Sequence, residues 1–481
     1  MVNPILLAAA TAEPHLLMIL PFALMLLAIA LMPFINLHWW ERHFPKVAMG
    51  LGTVTTVYYV FVLGNAGRML HVGHEYVSFM ALIGSLFVVA GGIHIDVRGE
   101  AKPSVNCLFL FIGALLANVI GTTGASMLLI RPWMRMNKYR LTAFHIVFFI
   151  FIVSNVGGCL TPIGDPPLFM GYLKGVPFWW VAQHCWPMWA VGVGTLLAMF
   201  FVVDSLNFRR APRPVREMET AHERWRIDGL PNLFFLAVIL VAVFIERPVF
   251  LREGLMLAAA LGSFFTTRKP VHEANHFNFH PIREVAILFI GIFATMMPAL
   301  DWLEVKSGAM GHPSPAFFYW GSGMLSSVLD NVPTYLSFLK VIFGSCVNGD
   351  VVQQVQQLIQ TGVPDLASVT GPNAEPVRQT IGALQTYHAS ALARGAVDTD
   401  HIEIAFLVGN AAFNKYILAI SVGAVFFGAN TYIGNGPNFM VKSIADQQKV
   451  HAPGFLGFIF KYTLPYMLPT LLLVWWLFFR Q

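Results

Sequence analysis

The run from Leu16 to Ile35 passes twenty residues without one charged side chain. Comparable apolar stretches recur at Tyr76 to Ile93, Val181 to Val203, Asn232 to Ile245 and Phe455 to Phe479. At a rise of about 1.5 Å per residue, about 20 apolar residues cross the ~30 Å hydrocarbon core of a bilayer. A helix on a soluble core needs only one apolar stripe, whereas these runs are apolar all round. Only 11% of the 481 residues are charged and 56% are hydrophobic, against about 25% charged in a soluble domain. A large soluble protein is excluded, and the chain is expected to be an all-α polytopic membrane protein. The N-terminus lacks the basic region of a signal peptide, so the first run is expected to be a retained span.

Lys and Arg set the orientation of the spans. No basic residue precedes Arg42, which places the N-terminus outside. The loops then falling inside, near 36–46, 94–104, 131–140, 205–229, 268–284 and 441–454, hold 19 of the 30 basic residues. The 205–229 loop carries Arg209, Arg210, Arg213, Arg216, Arg224 and Arg226, whereas the polar stretch 345–400 carries Asp350, Asp365, Glu375, Asp398 and Asp400 against Arg378 and Arg394. The net charge of +5 is therefore an orientation signal and not a nucleic-acid footprint. Cys107, Cys159, Cys185 and Cys346 are far apart, with no CxxC pair to suggest a zinc site or a disulfide framework.

About ten full spans are expected by length and hydropathy, and two further segments behave differently. Val105–Ile130 is flanked by Arg98 and Lys102 on one side and by Arg131, Arg135, Lys138 and Arg140 on the other. Both ends favour the cytoplasm, and the centre, Asn118 to Gly124, is small and polar. Ala316–Phe343 lies between Asp301/Glu304 and the acidic 345–400 stretch, with Leu329-Asp330-Asn331-Val332-Pro333-Thr334 at its centre. One re-entrant hairpin from each face is expected, because irregular backbone at membrane depth survives only where protein or a wet cavity surrounds it.

The two halves echo each other. Val119-Ile120 aligns with Val328-Leu329, and Ile83-Gly84 with Ile290-Gly291. The stretch from Thr161 to Phe169 aligns with Thr431 to Phe439, and five of the nine positions are identical. By the charge count the copies run in opposite senses, which makes them inverted repeats. Paired Gly/Pro-interrupted segments at corresponding positions mark the binding site of a transporter.

The interrupted segments supply the candidate ligands. Gly157 and Gly158 end the helix that begins at Phe144, and Pro162 and Gly164 keep the backbone irregular. The second segment is broken at Gly434, Gly436 and Pro437, and the second hairpin at Pro333. Carbonyls freed in such breaks can coordinate a small cation. Ser154, Asn155 and Thr161 add neutral oxygens, and Asp165 adds a charge that inside a membrane is a functional residue by default. Two half-sites are expected: Asp165 with Thr122 and Thr123 of the first hairpin, and Asp330 and Asn331 with Asn430, Thr431 and Asn435. Hard oxygen donors suit Na⁺ or H⁺, and no metal beyond Na⁺ is expected. No Lys or Arg lies at the four tips, which argues against a multiply charged anion held there. His272, His276 and His280, His71, His74 and Glu75, and the single His94 and His145 are weaker candidates for metal or proton binding. The Trp pairs at 39/40, 179/180 and 475/476 fit interfacial belts. No Walker loop, nucleophile elbow or HExxH motif occurs, so no enzyme and no cofactor are expected.

The hairpin Ser326-Ser327-Val328-Leu329-Asp330-Asn331-Val332-Pro333 and the break from Ser154 through Asp165 resemble the Ion Transporter superfamily. Within it they resemble the NhaD-like sodium/proton antiporters and the citrate transporter/antiporter group, over roughly residues 75 to 480. The resemblance implies scaffold and moving transport domains, inverted repeats with hairpins and broken helices, and a homodimer working by an elevator-like motion in the bacterial inner membrane. Where dicarboxylate transporters of the superfamily carry Ser-Asn-Thr, the tips here read Asn118-Val119-Ile120-Gly121-Thr122 and Asp330-Asn331-Val332. The expected function is Na⁺/H⁺ antiport, with Li⁺ as a further cation; the alternative is cation-coupled transport of citrate, a dicarboxylate or another anion. The expected division is 1–104 first scaffold helices, 105–180 first transport half, 181–315 central scaffold, 316–344 second hairpin, 345–400 outer polar loop, and 401–481 second broken helix with the last span.

Overall fold

A computed structural model describes residues 14–96, 102–138, 140–210, 226–245, 247–361, 369–448, 450 and 452–480. Arg98, Arg213, Arg216, Arg224 and Asp365, used above for orientation, lie outside the described residues. The described residues are helical nearly throughout, and the sheet among them is one short antiparallel ribbon, His94–Asp96 against Arg226–Asp228. Among the described residues seven helices are long and apolar enough to cross a membrane, or nine when two sharply bent helix pairs each count as one span. Fewer qualify than the ten read from hydropathy because some apolar runs form shorter helices, such as the eleven-residue Asn232–Ala242.

The helix Leu20–Ile35 leaves Leu20, Leu24, Leu27 and Leu31 about half exposed along one face. A ridge of this kind is stable against lipid and would be an aggregation site in water. The helix Leu37–Val57 packs tightly on His280–Ser307, with an added Cβ at Gly52 3.1 Å from Ala294. Small residues let helices approach closely where lipid removes the hydrophobic drive between them. The helix Ala66–Gly91 meets the same partner through Phe79, 4.8 Å from Phe289 between ring centroids.

Both expected hairpins are present. Pro103–Met136 is helical except at Gly121, whose φ of 75° and ψ of 155° are open to glycine and strained for other residues. There the chain folds back. Asn106 donates to Asn137 across 2.8 Å, and the Phe109 and Trp133 rings stack at 5.6 Å. The entry and exit of this segment therefore lie side by side. The second hairpin pairs Pro315–Ser326 with Asn331–Cys346 around a turn at Ser327 to Asp330, and Phe338 packs back on Phe317 and Phe318.

Both expected helix breaks are present as well. Ala143–Ile152 stops, a short tight turn spans Val156–Leu160, and Pro166–Leu173 resumes. Asn414–Phe427 stops, Gly428–Asn430 forms a similar turn, and Gly436–Gln447 resumes. Two close approaches demand glycine: a Cβ on Gly164 would strike the carbonyl of Gly158, and one on Gly434 would lie 2.6 Å from that of Gly428.

The 345–400 stretch is not a plain loop. It holds the helices Gly349–Thr361, Ala374–Tyr387 and Ala389–Ala393, and buries Val351, Val355, Val377, Ile381 and Leu384. Its many Gln and Thr residues lower the hydropathy, while the apolar positions still recur at helical spacing.

Candidate ion-binding site

The four tips meet at Asp165. This carboxylate is fully buried. Its Oδ1 accepts from Thr122 Oγ1 at 2.8 Å and from Asn435 Nδ2 at 3.1 Å; its Oδ2 accepts from Asn331 Nδ2 at 3.0 Å. Each donor comes from a different element: the first hairpin, the second break and the second hairpin. Extending the aligned pairs Val119/Val328 and Thr161/Thr431 makes Thr122 equivalent to Asn331 and Asp165 equivalent to Asn435. The constellation is thus two symmetry-related pairs, with the only charge on one member.

The same symmetry holds in the scaffolding around it. Thr161 donates to the Asn118 carbonyl at 2.6 Å and accepts from Gly164 N at 3.1 Å; Thr431 donates to the Ser327 carbonyl at 2.6 Å and accepts from Gly434 N at 3.1 Å. In both halves one threonine staples the break to its hairpin. A further layer crosses between halves: Asn435 Nδ2 also reaches Asn155 Oδ1 at 3.1 Å, and Asn155 Nδ2 donates to Asn438 Oδ1 at 2.7 Å. Ser154 shares a 2.7 Å hydrogen bond with Ser126.

Four helices start at this cluster. Asp165 stands at the residue just before Pro166–Leu173 and Asn435 just before Gly436–Gln447, each with its side chain turned to the cluster and not to its own helix; Asn331 begins its helix, and Thr122 begins the second arm of the first hairpin. A helix N-terminus carries roughly half a positive charge. Four of them, with three neutral donors, can stabilise one carboxylate without any ion-pair partner. A cation or a proton would neutralise that carboxylate directly.

The expected second half-site is not assembled as expected. Asn435 serves Asp165 instead, while Asp330 Oδ1 accepts from the backbone N–H of Val332 at 3.0 Å, the ordinary arrangement of a helix-capping carboxylate. Asn430 donates to Ser327 Oγ at 2.9 Å, and its buried Oδ1 has no hydrogen-bond partner among the described residues. Thr123 lines a crevice of about 20 Å³ with Leu86 and Phe87, space for roughly one water and not for an organic anion.

Ser326 donates to the Ala424 carbonyl at 2.6 Å and so ties the second hairpin to the helix before the second break. Asn118, Ser126, Ser326, Ser327 and Asn438 are supporting residues that local sequence does not single out, although the repeat alignment, by pairing Asn118 with Ser327, points to two of them. A separate charged cluster is likewise absent from the sequence expectations. Lys340 of the second hairpin lies 2.8 Å from Glu304 and 2.9 Å from Asp400, and Lys174 lies 2.6 Å from Glu75 and 2.9 Å from Asp400. Nearby, Asp301 takes Arg68 and the Tyr59 hydroxyl, both at 2.7 Å. Lysines inside apolar helices are the signal that could have revealed it.

Two inverted halves, each with a hairpin and a broken helix, meeting at a buried carboxylate within a bundle of apolar helices, define a multi-pass secondary transporter. Residues 11–479 match the family described as "Putative citrate transport". The chain belongs to this family, which is one of transporters and not of enzymes. No curated protein matches it.

Proposed function

We propose that the protein is a Na⁺/H⁺ antiporter in which Asp165 alternately holds a cation and a proton. The observation that carries this reading is the solvation of Asp165: three neutral side-chain donors, drawn from both repeats, and no Lys, Arg or His among its hydrogen-bond partners in the described residues. A buried carboxylate held this way keeps its charge available to a passing cation. The Asn331 and Asn435 amides, rotated by half a turn, offer oxygens where they now offer N–H groups. With Thr122 Oγ1 and the Ser154 carbonyl they form a hard-oxygen set suited to Na⁺. The proposed working unit is a homodimer in a bacterial inner membrane.

A second reading, cation-coupled transport of citrate or another anion, is favoured by the family description and by the four helix N-termini, which attract anions. Asp165 already occupies that positive focus, which is why the cation reading is preferred. The test is purified protein in acid-loaded liposomes with a pH-reporting dye. Proton efflux on adding NaCl without any organic anion supports antiport. Na⁺ uptake that appears only with citrate overturns it in favour of the second reading.

A further inference from the structure

Glu403 stands in the helix Thr399–Gly409, three residues after Asp400 and so on the same face. It is 8% exposed, and its buried Oε2 has no hydrogen-bond partner among the described residues. Four charges face it: Lys340 from the second hairpin, Asp400 from its own helix, Glu304 from His280–Ser307, and Lys174 just after Pro166–Leu173. The helices packed on Thr399–Gly409 from the outer stretch, Gly349–Thr361 and Ala374–Tyr387, bury chiefly apolar side chains. Asp350 and Glu375 on them are exposed, Arg378 pairs with Glu375 and donates to the Val369 carbonyl, and Lys415 on Asn414–Phe427 is exposed.

The cations near Glu403 are already engaged. Lys340 holds Glu304 and Asp400, Lys174 holds Glu75 and Asp400, and Arg68 holds Asp301. Four carboxylates thus share three cations, and His71, 3.1 Å from Glu75, brings the count to even at most. An ionised Glu403 would be a fifth carboxylate without an ion-pair partner among the described residues. Its charge would sit at a buried oxygen that no donor solvates, beside the like charge of Asp400, and both features favour the neutral acid.

We propose that Glu403 is a proton-binding site that holds its proton at neutral pH and releases it at alkaline pH to the face that the charge distribution assigns to the outside. The step is an ionisation: the carboxyl O–H bond breaks, its electron pair stays on the oxygen, and the proton passes to water. The negative charge left behind competes with Glu304 and Asp400 for Lys340. Lys340 stands on the helix that Asn331 begins. Lys174 ends the helix that follows Asp165, whose eight residues span ~12 Å. The charge on Glu403 therefore acts at the far ends of two helices that start at the ion site.

This proton site is separate from Asp165 and needs no ion exchange there. Infrared difference spectra of full-length protein in lipid nanodiscs, stepped from neutral to alkaline pH, read neutral carboxylic acids through their carbonyl stretch. The wild type is expected to lose a neutral-acid band as pH rises. That loss should be absent in Glu403→Gln, present in Glu403→Asp, and present in Asp165→Asn, which separates this site from the exchange site. Melting midpoints give an independent reading. A folded protein that keeps a proton its unfolded chain has released loses stability as pH rises. Glu403→Gln, in which an amide replaces the neutral acid, is expected to melt with the wild type at mildly acid pH and progressively above it as pH rises. A Glu403→Gln protein that fails to fold, or melts below the wild type at neutral pH, would show that the side chain serves as a carboxylate and would overturn the proposal. The same spectral change, or the same lack of one, in wild type and Glu403→Gln would overturn it too.

Discussion

Asn435 donates to Asp165 across 3.1 Å, and the two residues hold the same position in the two inverted repeats. The pseudo-twofold relation thus passes between a carboxylate and an amide. With Asp at both positions, two like charges would share one site, and such a pair does not ionise independently. With Asn at both, the four helix N-termini would face no charge. One of each leaves a single negative charge that a single cation or proton can neutralise. In Asp165→Asn that charge disappears while a polar side chain of similar shape remains. Exchange is expected to fall by over 100-fold, the equivalent of about 3 kcal/mol in cation affinity. The thermal midpoint should hold or rise, since a buried charge is costly to keep. Transport assays paired with melting curves on the same preparation check both halves; wild-type exchange rates would remove Asp165 from the mechanism.

Asp330 separates capping from ion binding. Asn caps a helix about as well as Asp, whereas Ala costs about 1 kcal/mol. Asp330→Asn is therefore expected to retain most exchange and stability. Asp330→Ala should lose stability through the Val332 N–H. Loss of exchange in the Asn variant, with its melting point intact, would restore Asp330 as the cation ligand that its sequence context suggests.

Much of this architecture was legible in the residues. The breaks at Gly157-Gly158 and Gly434–Pro437 interrupt apolar runs with residues that disfavour a continuous helix, and the basic clusters on both sides of Val105–Ile130 place both its ends on one side. What could not be read was which tip faces which. Thr122, Asn331 and Asn435 lie in different elements, and the pairing of Asn435 with Asp165 in place of Asp330 follows from the crossing of the two repeats, a relation with no trace in local sequence. The helices of 345–400 escaped for another reason: Val351, Val352, Val355 and Leu358 form a stripe among glutamines, and a hydropathy average hides a stripe of that kind.

The hairpins make a topological prediction. Cysteines replacing Lys102 and Arg131 should both react with an impermeant reagent from the cytoplasmic side, since Asn106 and Asn137 join the two ends of that segment. Cysteines at Lys306 and Asp350 should both react from the outside. Labelling from opposite sides across either segment would contradict the inverted arrangement.

Lys340 tests the link between the second hairpin and the helix His280–Ser307. Among the described residues, replacing it by Met leaves Glu304 without its ion-pair partner and Asp400 with Lys174 as its remaining one. Removing one member of a buried pair costs roughly 3–5 kcal/mol, whereas removing both members is often close to neutral. Lys340→Met should therefore lower the melting temperature, and Lys340→Met/Glu304→Met should recover part of the loss. Additive losses in this double-mutant cycle would show that the 2.8 Å contact carries no coupling.

Competition between Na⁺ and H⁺ gives the most direct test of the proposed function. If both use Asp165, each bound proton removes the charge that holds Na⁺, so apparent Na⁺ affinity must fall as pH falls. Linkage requires the converse: Na⁺ binding must expel protons wherever the site is partly protonated, and at sufficiently alkaline pH, where no proton remains, the release must vanish. Lightly buffered protein in detergent, without citrate or any other organic anion, should acidify its medium on addition of NaCl. The amplitude should saturate near one proton per site, and it should be absent in Asp165→Asn and in response to choline chloride. In an anion symporter that uses Na⁺ only for coupling, release would not occur until substrate was added. Absence of release across roughly pH 6 to 9, combined with citrate-dependent Na⁺ uptake in liposomes, would transfer the assignment from antiporter to anion transporter.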